Sequence, residues 1–311
     1  MNSCDLSDSQ IRRDLRDWLS ASDPSIKHNN VQKVHHRRTA EWFTGGKVFG
    51  KWKSTGSLLW VHGLRTHPFF VYFPAADKIL ILQREQERPS CGMRYYVLFH
   101  LDYLLISSIS STIIKNIQDE CQTGLAILTF YYFDFRLAKE QDTRGFLSSL
   151  LIQLSVQSDE FLQILSVLNL SHRHSPLQQP SEDELLLCLK EMLKLPGQGE
   201  LYIVVDALDE CQDSTGIRTT RQQVLDIMKE LVDLKISHLH LCVTSRFEIH
   251  IRWVLEPLGP DSVSLHDQRG QREDIARYVK EIVESDAEMR LWPEDKRKLV
   301  ISTLSEKGCG M

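Results

Sequence analysis

Five short apolar runs are the clearest pattern along the chain. Four of them are almost continuously hydrophobic, which is typical of strands that are covered on both faces of a parallel sheet. The last run is weaker. Together they predict strands at residues 58–62, 125–133, 201–206, 239–244 and 262–265.

Between these runs, apolar residues recur at intervals of three and four positions, the spacing of amphipathic helices. The predicted helices are at residues 111–121, 143–157, 160–168, 182–195, 222–234 and 271–284. Strands that alternate with helices predict an α/β fold, a doubly wound and mostly parallel five-stranded sheet with flanking helices. We expect the strands at 58–62 and 239–244 to flank the strand at 201–206.

The first 54 residues read as a helical lead-in to this domain. One helix is predicted from Ser7 or Asp8, which can cap it, to residue 20. A second helical pattern covers residues 31–43, and Gly45 and Gly46 end it.

Two segments do not fit the alternation. Residues 65–106 separate the first strand from its helix, whereas the usual loop at that place has roughly 2–6 residues. We interpret this segment as non-native coding, most simply a retained intron; a genuine insertion is the alternative. The chain then stops at SEKGCGM without a closing element, and we expect it to be truncated.

Composition places the chain among ordinary globular proteins. It has 311 residues, 42% of them hydrophobic and 25% charged, and its net charge of -5 argues against nucleic acid as a partner. Seven cysteines without CxxC spacing, and no secretory signal, indicate reduced thiols and a cytoplasmic location. The apolar segment at 95–109 is too short for a stable membrane insertion.

The most specific chemical signal is LYIVVDALDEC, which begins at Leu201. A buried strand delivers Asp206 to its carboxyl end, where open α/β sheets bind their ligands. Asp209 and Glu210 follow within four positions. These hard oxygen donors suit a hydrated Mg²⁺ on a nucleotide; the alternative is a solvated acidic turn.

A second buried strand, LHLCVTSR, ends at Arg246, whose guanidinium can contact a γ-phosphate through two hydrogen bonds. The first strand ends at His62 and Gly63, as if a phosphate-binding loop followed, but no glycine-rich turn comes next. The helix beginning SISSTII at Ser108 has small residues at its start. It is either the helix that follows a phosphate loop or a plain packing helix.

These segments resemble the fungal NACHT-type signal-transduction (STAND) P-loop NTPases whose nucleotide domain is nephrocystin-like, as in heterokaryon-incompatibility and ankyrin-repeat proteins. WLSASDPSIKHNN, RTAEWFTGGKVFGKWKS and SLLWVHG resemble the lead-in to the Walker A loop of that family. SSTIIKNIQDEC and LTFYYFDF resemble the next helix and strand, LYIVVDALDEC the Walker B strand, and LCVTSR the sensor strand. REDIARYVKEIV is similar to the helix after the sheet.

The resemblance implies that ATP or GTP binds with Mg²⁺ near Gly63. Asp206 would hold the metal through water, Asp209 and Glu210 would position the attacking water, and Arg246 would contact the γ-phosphate. PSCGMR at residues 89–94 resembles a P-G-C-G-K-S loop, but a methionine and an arginine replace its lysine and hydroxyl residue. Methionine cannot pair with phosphate and arginine cannot bind Mg²⁺.

Two functions therefore remain open. The first is a nucleotide-driven switch that acts through self-association and signalling partners, impaired here as an NTPase. The second is a non-catalytic interaction scaffold. We expect a lead-in at residues 1–54, an NTPase-like domain at 55–285, and the start of a helical arm at 286–311.

Overall fold

The computed structural model describes residues 3–34, 40–63, 101–134, 142–172, 179–211, 219–259, 261–265, 268–285 and 289–307. Five strands lie at Leu58–Gly63 (β1), Ala126–Tyr132 (β2), Glu200–Asp206 (β3), Leu239–Arg246 (β4) and Asp261–Ser264 (β5). The helices before β2 are Ser3–Leu19 (α1), Ser25–Val34 (α2), Glu41–Thr44 (α3), Lys47–Thr55 (α4) and Leu101–Cys121 (α5). Those after it are Thr143–Gln157 (α6), Asp159–His172 (α7), Glu182–Leu193 (α8), Thr220–Asp233 (α9), Ile249–Leu255 (α10), Arg269–Ser285 (α11) and Glu294–Lys307 (α12).

The five strands form one parallel sheet in the order β2-β3-β4-β1-β5. The predicted doubly wound α/β fold, of the P-loop NTPase-like type, is confirmed. One detail of the prediction is wrong, because β1 does not flank β3: β4 lies between them. Hydrophobicity identifies strands that are buried on both faces, but it carries no information about the side to which each crossover carries the chain.

Side chains of each strand alternate between two hydrophobic layers. The first layer packs the sheet against α1 and α6 to α10, and its strand residues include Trp60, Tyr131, Ile203 and Val243. The second packs the sheet against α3, α4 and α5. This arrangement explains the continuous apolar runs, since both faces of every central strand are buried.

The lead-in contributes to both layers, α1 to the first and α3 and α4 to the second. Trp52 of α4 is fully buried, and its indole Nε1 donates to the carbonyl oxygens of Ser57 (3.0 Å) and Leu241 (3.1 Å). It also meets the ring of Tyr202 at a centroid distance of 5.7 Å. Helix α4 was not predicted, because the two glycines before it were interpreted only as a helix end.

Helix α5 begins at Leu101, ten residues before the predicted start. The last six residues of the segment interpreted as non-native, 101–106, therefore form the first turns of a helix whose later residues Ile113, Ile114 and Ile117 are buried under the sheet. Residues 65–100, the rest of that segment, lie outside the described residues.

Helices α11 and α12 share a small core of their own, made of Ile275, Val279, Val283 and Val300. Asp274 joins α11 to the lead-in: its Oδ2 accepts from the amide of Ala40 (2.7 Å) and from the indole of Trp42 (2.9 Å).

In the described part of the chain, no helix combines the length and apolar content needed to cross a membrane.

Two helical glycines should respond to alanine in opposite directions. A Cβ on Gly50 meets nothing within 4 Å, whereas a Cβ on Gly270 would lie 2.3 Å from the Trp42 ring. We expect Gly50→Ala to raise the free energy of unfolding by about 0.5–1 kcal/mol, because alanine favours the helix. Gly270→Ala should lower it by about 1–3 kcal/mol through overpacking. Urea denaturation measures both, and equal effects would contradict the close packing of Trp42 on α11.

His28 of α2 should make stability depend on pH. The side chain is buried against Phe130, its Nδ1 lies 2.8 Å from the hydroxyl of Tyr132, and burial lowers its pKa to about 4. His28 binds a proton more readily in the unfolded chain. The stability that neutral, buried His28 contributes is therefore fully present above pH 6.5 and is lost as pH falls towards 4.

Between pH 7 and pH 5, protonation of His28 in the unfolded chain should lower the free energy of unfolding by about 2 kcal/mol. Because other groups titrate in this range, the measurement compares urea denaturation of the wild type and His28→Gln at pH 7 and pH 5. The variant should lose less stability on acidification. His250→Gln, which removes an exposed histidine of α10, is the control and should behave as the wild type.

Candidate functional site

Asp206 is the last residue of β3 and lies at the carboxyl end of the sheet, as predicted. The side chain is almost completely buried. Its Oδ1 accepts hydrogen bonds from the hydroxyls of Ser110 on α5 and Thr244 on β4, the latter at 2.5 Å. Two hydroxyl donors lower the cost of burying this carboxylate.

Asp209 lies in a short 3-10 turn, Leu208–Glu210, that follows β3. The turn begins at Ala207, whose φ of 55° is unusual for a residue other than glycine. The Asp209 carboxylate accepts from the Arg246 amide at 2.8 Å and pairs with Arg246 Nε at 3.4 Å. The predicted acidic turn and the predicted arginine therefore meet at one edge of the sheet.

Glu210 is buried beside three other acids. Burial raises its pKa to about 7, the carboxylates of Asp209, Asp134 and Asp206 add to the rise, and Arg246 opposes it. A carboxyl group with this pKa exchanges its proton near neutral pH, which is a property of general bases. Glu210 thus has the electrostatic setting of an acid–base group, while its role stays a prediction.

Asp134 was missed in the sequence analysis. It lies two residues after the end of β2, so the rule that singled out Asp206, a carboxylate at the carboxyl end of a buried strand, also applies to it. Lys27 of the lead-in helix α2 lies 3.6 Å from its carboxylate and donates to the carbonyl oxygen of Tyr132 at 3.2 Å. The lead-in therefore reaches the same edge of the sheet and brings a positive charge to it.

Gly63 ends β1 and is the register partner of Arg246. Its carbonyl oxygen accepts from the amide of Phe247 at 2.6 Å, so the ends of β1 and β4 are joined beyond the ladder. His62 was interpreted as a tolerated strand-end residue. Its ring packs against Trp60, with centroids 4.3 Å apart, and against Phe247, at 5.3 Å, and these two rings also stack on each other at 6.2 Å.

These residues surround the point where the sheet changes its winding direction. Helix α5 follows β1 and packs on one face, whereas α10 follows the neighbouring strand β4 and packs on the other. Open α/β sheets bind ligands in the crevice at such a point. Gly63 and Arg246 lie at this point, and Asp206 and Asp209 lie one strand away from it.

The oxygen atoms of Asp206, Ser110 and Thr244 form a donor set that suits a hard cation such as Mg²⁺. Across the described ranges, no group of three or more His, Cys, Asp or Glu side chains is placed to hold a metal ion by itself. Residues 89–94, with Met93 and Arg94, lie outside the described residues.

Comparison with known families supports the nephrocystin-like part of the resemblance. Residues 107–246 match the family model described as nephrocystin 3, N-terminal. The match runs from within α5 to the last residue of β4, so it includes Asp206, Asp209, Glu210 and Arg246 but neither Gly63 nor the lead-in. No match was found among curated proteins.

The hydroxyl of Thr244 should be needed at this site for stability. Thr244→Val removes a donor to Asp206 and the acceptor of the Ala207 amide, which is 3.3 Å from Thr244 Oγ1. We expect a loss of about 2–3 kcal/mol in urea denaturation, since a buried amide and a buried carboxylate each lose a hydrogen bond. Thr244→Ser keeps the hydroxyl and should cost about 1 kcal/mol, the value of one methyl group. A valine variant as stable as the serine variant would refute this account.

Proposed function

We propose that this chain is the nucleotide-binding switch domain of a signalling protein, with ATP or GTP bound as the Mg²⁺ complex. One observation carries the proposal: the ends of β3 and β4 and the turn after β3 bring Asp206, Asp209, Glu210 and Arg246 together at the carboxyl edge of the sheet, beside Gly63. The similarity of residues 107–246 to the nephrocystin 3 N-terminal family supports it.

In this proposal each residue has a role that its surroundings permit. Asp206 holds Mg²⁺ through water, and Asp209 and Glu210 position the water that attacks the γ-phosphate. Arg246 has a side chain about one third exposed, so its guanidinium can contact a phosphate in the crevice. Bound nucleotide would favour one arrangement of the sheet edge and the helical arm, and hydrolysis or exchange would favour another.

The proposed site has too little positive charge to bind a triphosphate well. Ser110 already places a hydroxyl against Asp206, whereas the lysine that contacts the β- and γ-phosphates in phosphate loops has no assigned counterpart. A triphosphate would then meet the carboxylates of Asp206, Asp209 and Glu210 with Arg246 as the assigned counter-charge. We therefore propose poor or absent NTPase activity for the chain as written.

A second function, a non-catalytic interaction scaffold, is favoured by a different observation. The Asp206 carboxylate accepts hydrogen bonds from two hydroxyls, and the Asp209 carboxylate accepts one from the Arg246 amide. The sheet edge is thus stabilised by contacts within the chain, and its structure needs no ligand.

The biological setting is also a proposal. The resemblance to fungal NLR-like and heterokaryon-incompatibility proteins suggests a cytoplasmic product that self-associates, with ankyrin or other repeats in the full-length protein. The helical arm that we assign to residues 286–311 would join the switch domain to such repeats.

The expected result for the chain as written is weak binding of Mg-ATP and Mg-GTP, with dissociation constants well above about 1 μM, and hydrolysis at background rates. The physical reason is the repulsion between the triphosphate and three carboxylates in a partly desolvated crevice. Isothermal titration calorimetry and phosphate release measure the two quantities. Replacing residues 65–106 by a Gly-Lys-Ser/Thr loop should restore both binding and hydrolysis.

In that repaired chain, Asp206→Ala should remove hydrolysis again. Asp233→Ala, which removes an exposed carboxylate at the end of α9, is the matched control and should leave hydrolysis unchanged. A repaired chain that still fails to bind nucleotide would support the scaffold function instead. Tight Mg-dependent binding by the chain as written would show that another cation replaces the lysine, and Arg94 is the first to substitute.

A further inference from the structure

Arg221, near the start of α9, joins the two loops that carry the candidate site. Its side chain is 11% exposed. Nη2 donates to the carbonyl oxygens of Asp209 (2.7 Å) and Cys211 (2.9 Å), Nε donates to Cys211 as well (3.1 Å), and Nη1 donates to the Glu248 carboxylate at 2.7 Å. One side chain thus contacts both the turn after β3 and the loop after β4.

We propose that Arg221 is the positioning residue that fixes these two loops relative to each other and so keeps Asp209 beside Arg246. The positioning role follows from contacts within the chain, and its meaning for nucleotide binding rests on the proposed function.

Asp209 is held from two directions. Its backbone carbonyl accepts from Arg221, and its carboxylate accepts from the amide of Arg246 at 2.8 Å. Because Ala207 gives the turn a left-handed start, the backbone here departs from a relaxed conformation and depends on such contacts. If Arg221 is lost, the carbonyl side of the turn loses its donors and the carboxylate is no longer fixed against Arg246.

Glu248 provides the link to the other loop. It occupies the N-cap position of α10 and makes no capping hydrogen bond there. Its carboxylate is directed to Arg221 instead. Since Glu248 follows Arg246 by two residues, this ion pair fixes the backbone that carries the arginine of the site.

Arginine suits this position for a geometric reason. A planar guanidinium presents five donors in fixed directions, so it can bond two carbonyls and a carboxylate at once. A lysine keeps the charge, but its ammonium is a single point that cannot reach all three acceptors in the same geometry. Arg221→Lys therefore keeps the positive charge but removes the fixed set of hydrogen bonds that positions the two loops.

The test is hydrogen exchange of the wild type and Arg221→Lys, without nucleotide. The informative amides are Arg246, which donates to Asp209, and Glu210 and Cys211, which bond within the turn. We expect these three amides to exchange roughly five- to tenfold faster in the variant, as for the loss of about one hydrogen bond each. Amides that join β3 to β4 should exchange at wild-type rates.

Arg269→Lys is the control, because Arg269 lies exposed on α11 in a pair with Glu273. It should leave every one of these amides unchanged. Unchanged exchange at Arg246, Glu210 and Cys211 in Arg221→Lys would overturn the proposal. Uniformly faster exchange across the sheet would also overturn it, since that pattern belongs to a general loss of stability.

Glu248→Gln covers the case in which Arg221→Lys does not fold, because it removes only the charge of one partner. A smaller increase at the same three amides supports the proposal, and wild-type exchange there rejects it. Titration with Mg-ATP is a separate arm, carried out in the chain repaired with a Gly-Lys-Ser/Thr loop: if that chain binds, adding Arg221→Lys should weaken binding. If the repaired chain does not bind, the nucleotide function fails while hydrogen exchange still decides the role of Arg221.

Discussion

The sheet of this protein is covered by helices on both faces, and that constraint determines where its chemistry can lie. Each central strand contributes alternate side chains to two hydrophobic layers, so a charged side chain within a strand would have to enter a core. Charged groups are consequently found at the strand ends. At the carboxyl ends of β2, β3 and β4 the chain places Asp134, Asp206 and Arg246, and the loops that follow add Asp209 and Glu210.

Burial of Asp206 shows how such a group is accommodated. A lone carboxylate in this position would be costly, but hydroxyls from a helix and a neighbouring strand donate to it. Asp209 is stabilised by Arg246, and Asp134 by Lys27. The burial of Glu210 is compensated less well, so burial raises the pKa of its carboxyl group to about 7. The acidic edge is thus a network in which each carboxylate depends on its neighbours.

Much of this arrangement could be predicted from the sequence. Nearly continuous apolar runs identified four strands and a weaker run the fifth, and the position of Asp206 and Arg246 followed from the rule that parallel strands end at one edge. Asp134 obeys the same rule and was overlooked, so its omission was avoidable. The strand order was not predictable, because the position of β4 between β3 and β1 depends on how helices pack. Arg221 was equally hidden, since nothing local to α9 shows which carbonyls its guanidinium reaches ten or more residues away.

The lead-in has a consequence for how the domain is defined. Residue 55 was a natural boundary in the sequence, where helical patterns give way to the first strand. Trp52, however, is fully buried and bonds to the backbone at Ser57 and Leu241, and Lys27 contributes to the charge balance of the sheet edge. A recombinant fragment that starts at residue 55 would expose the second hydrophobic layer to water and leave Asp134 without Lys27. The smallest unit that retains both contacts therefore begins before α2.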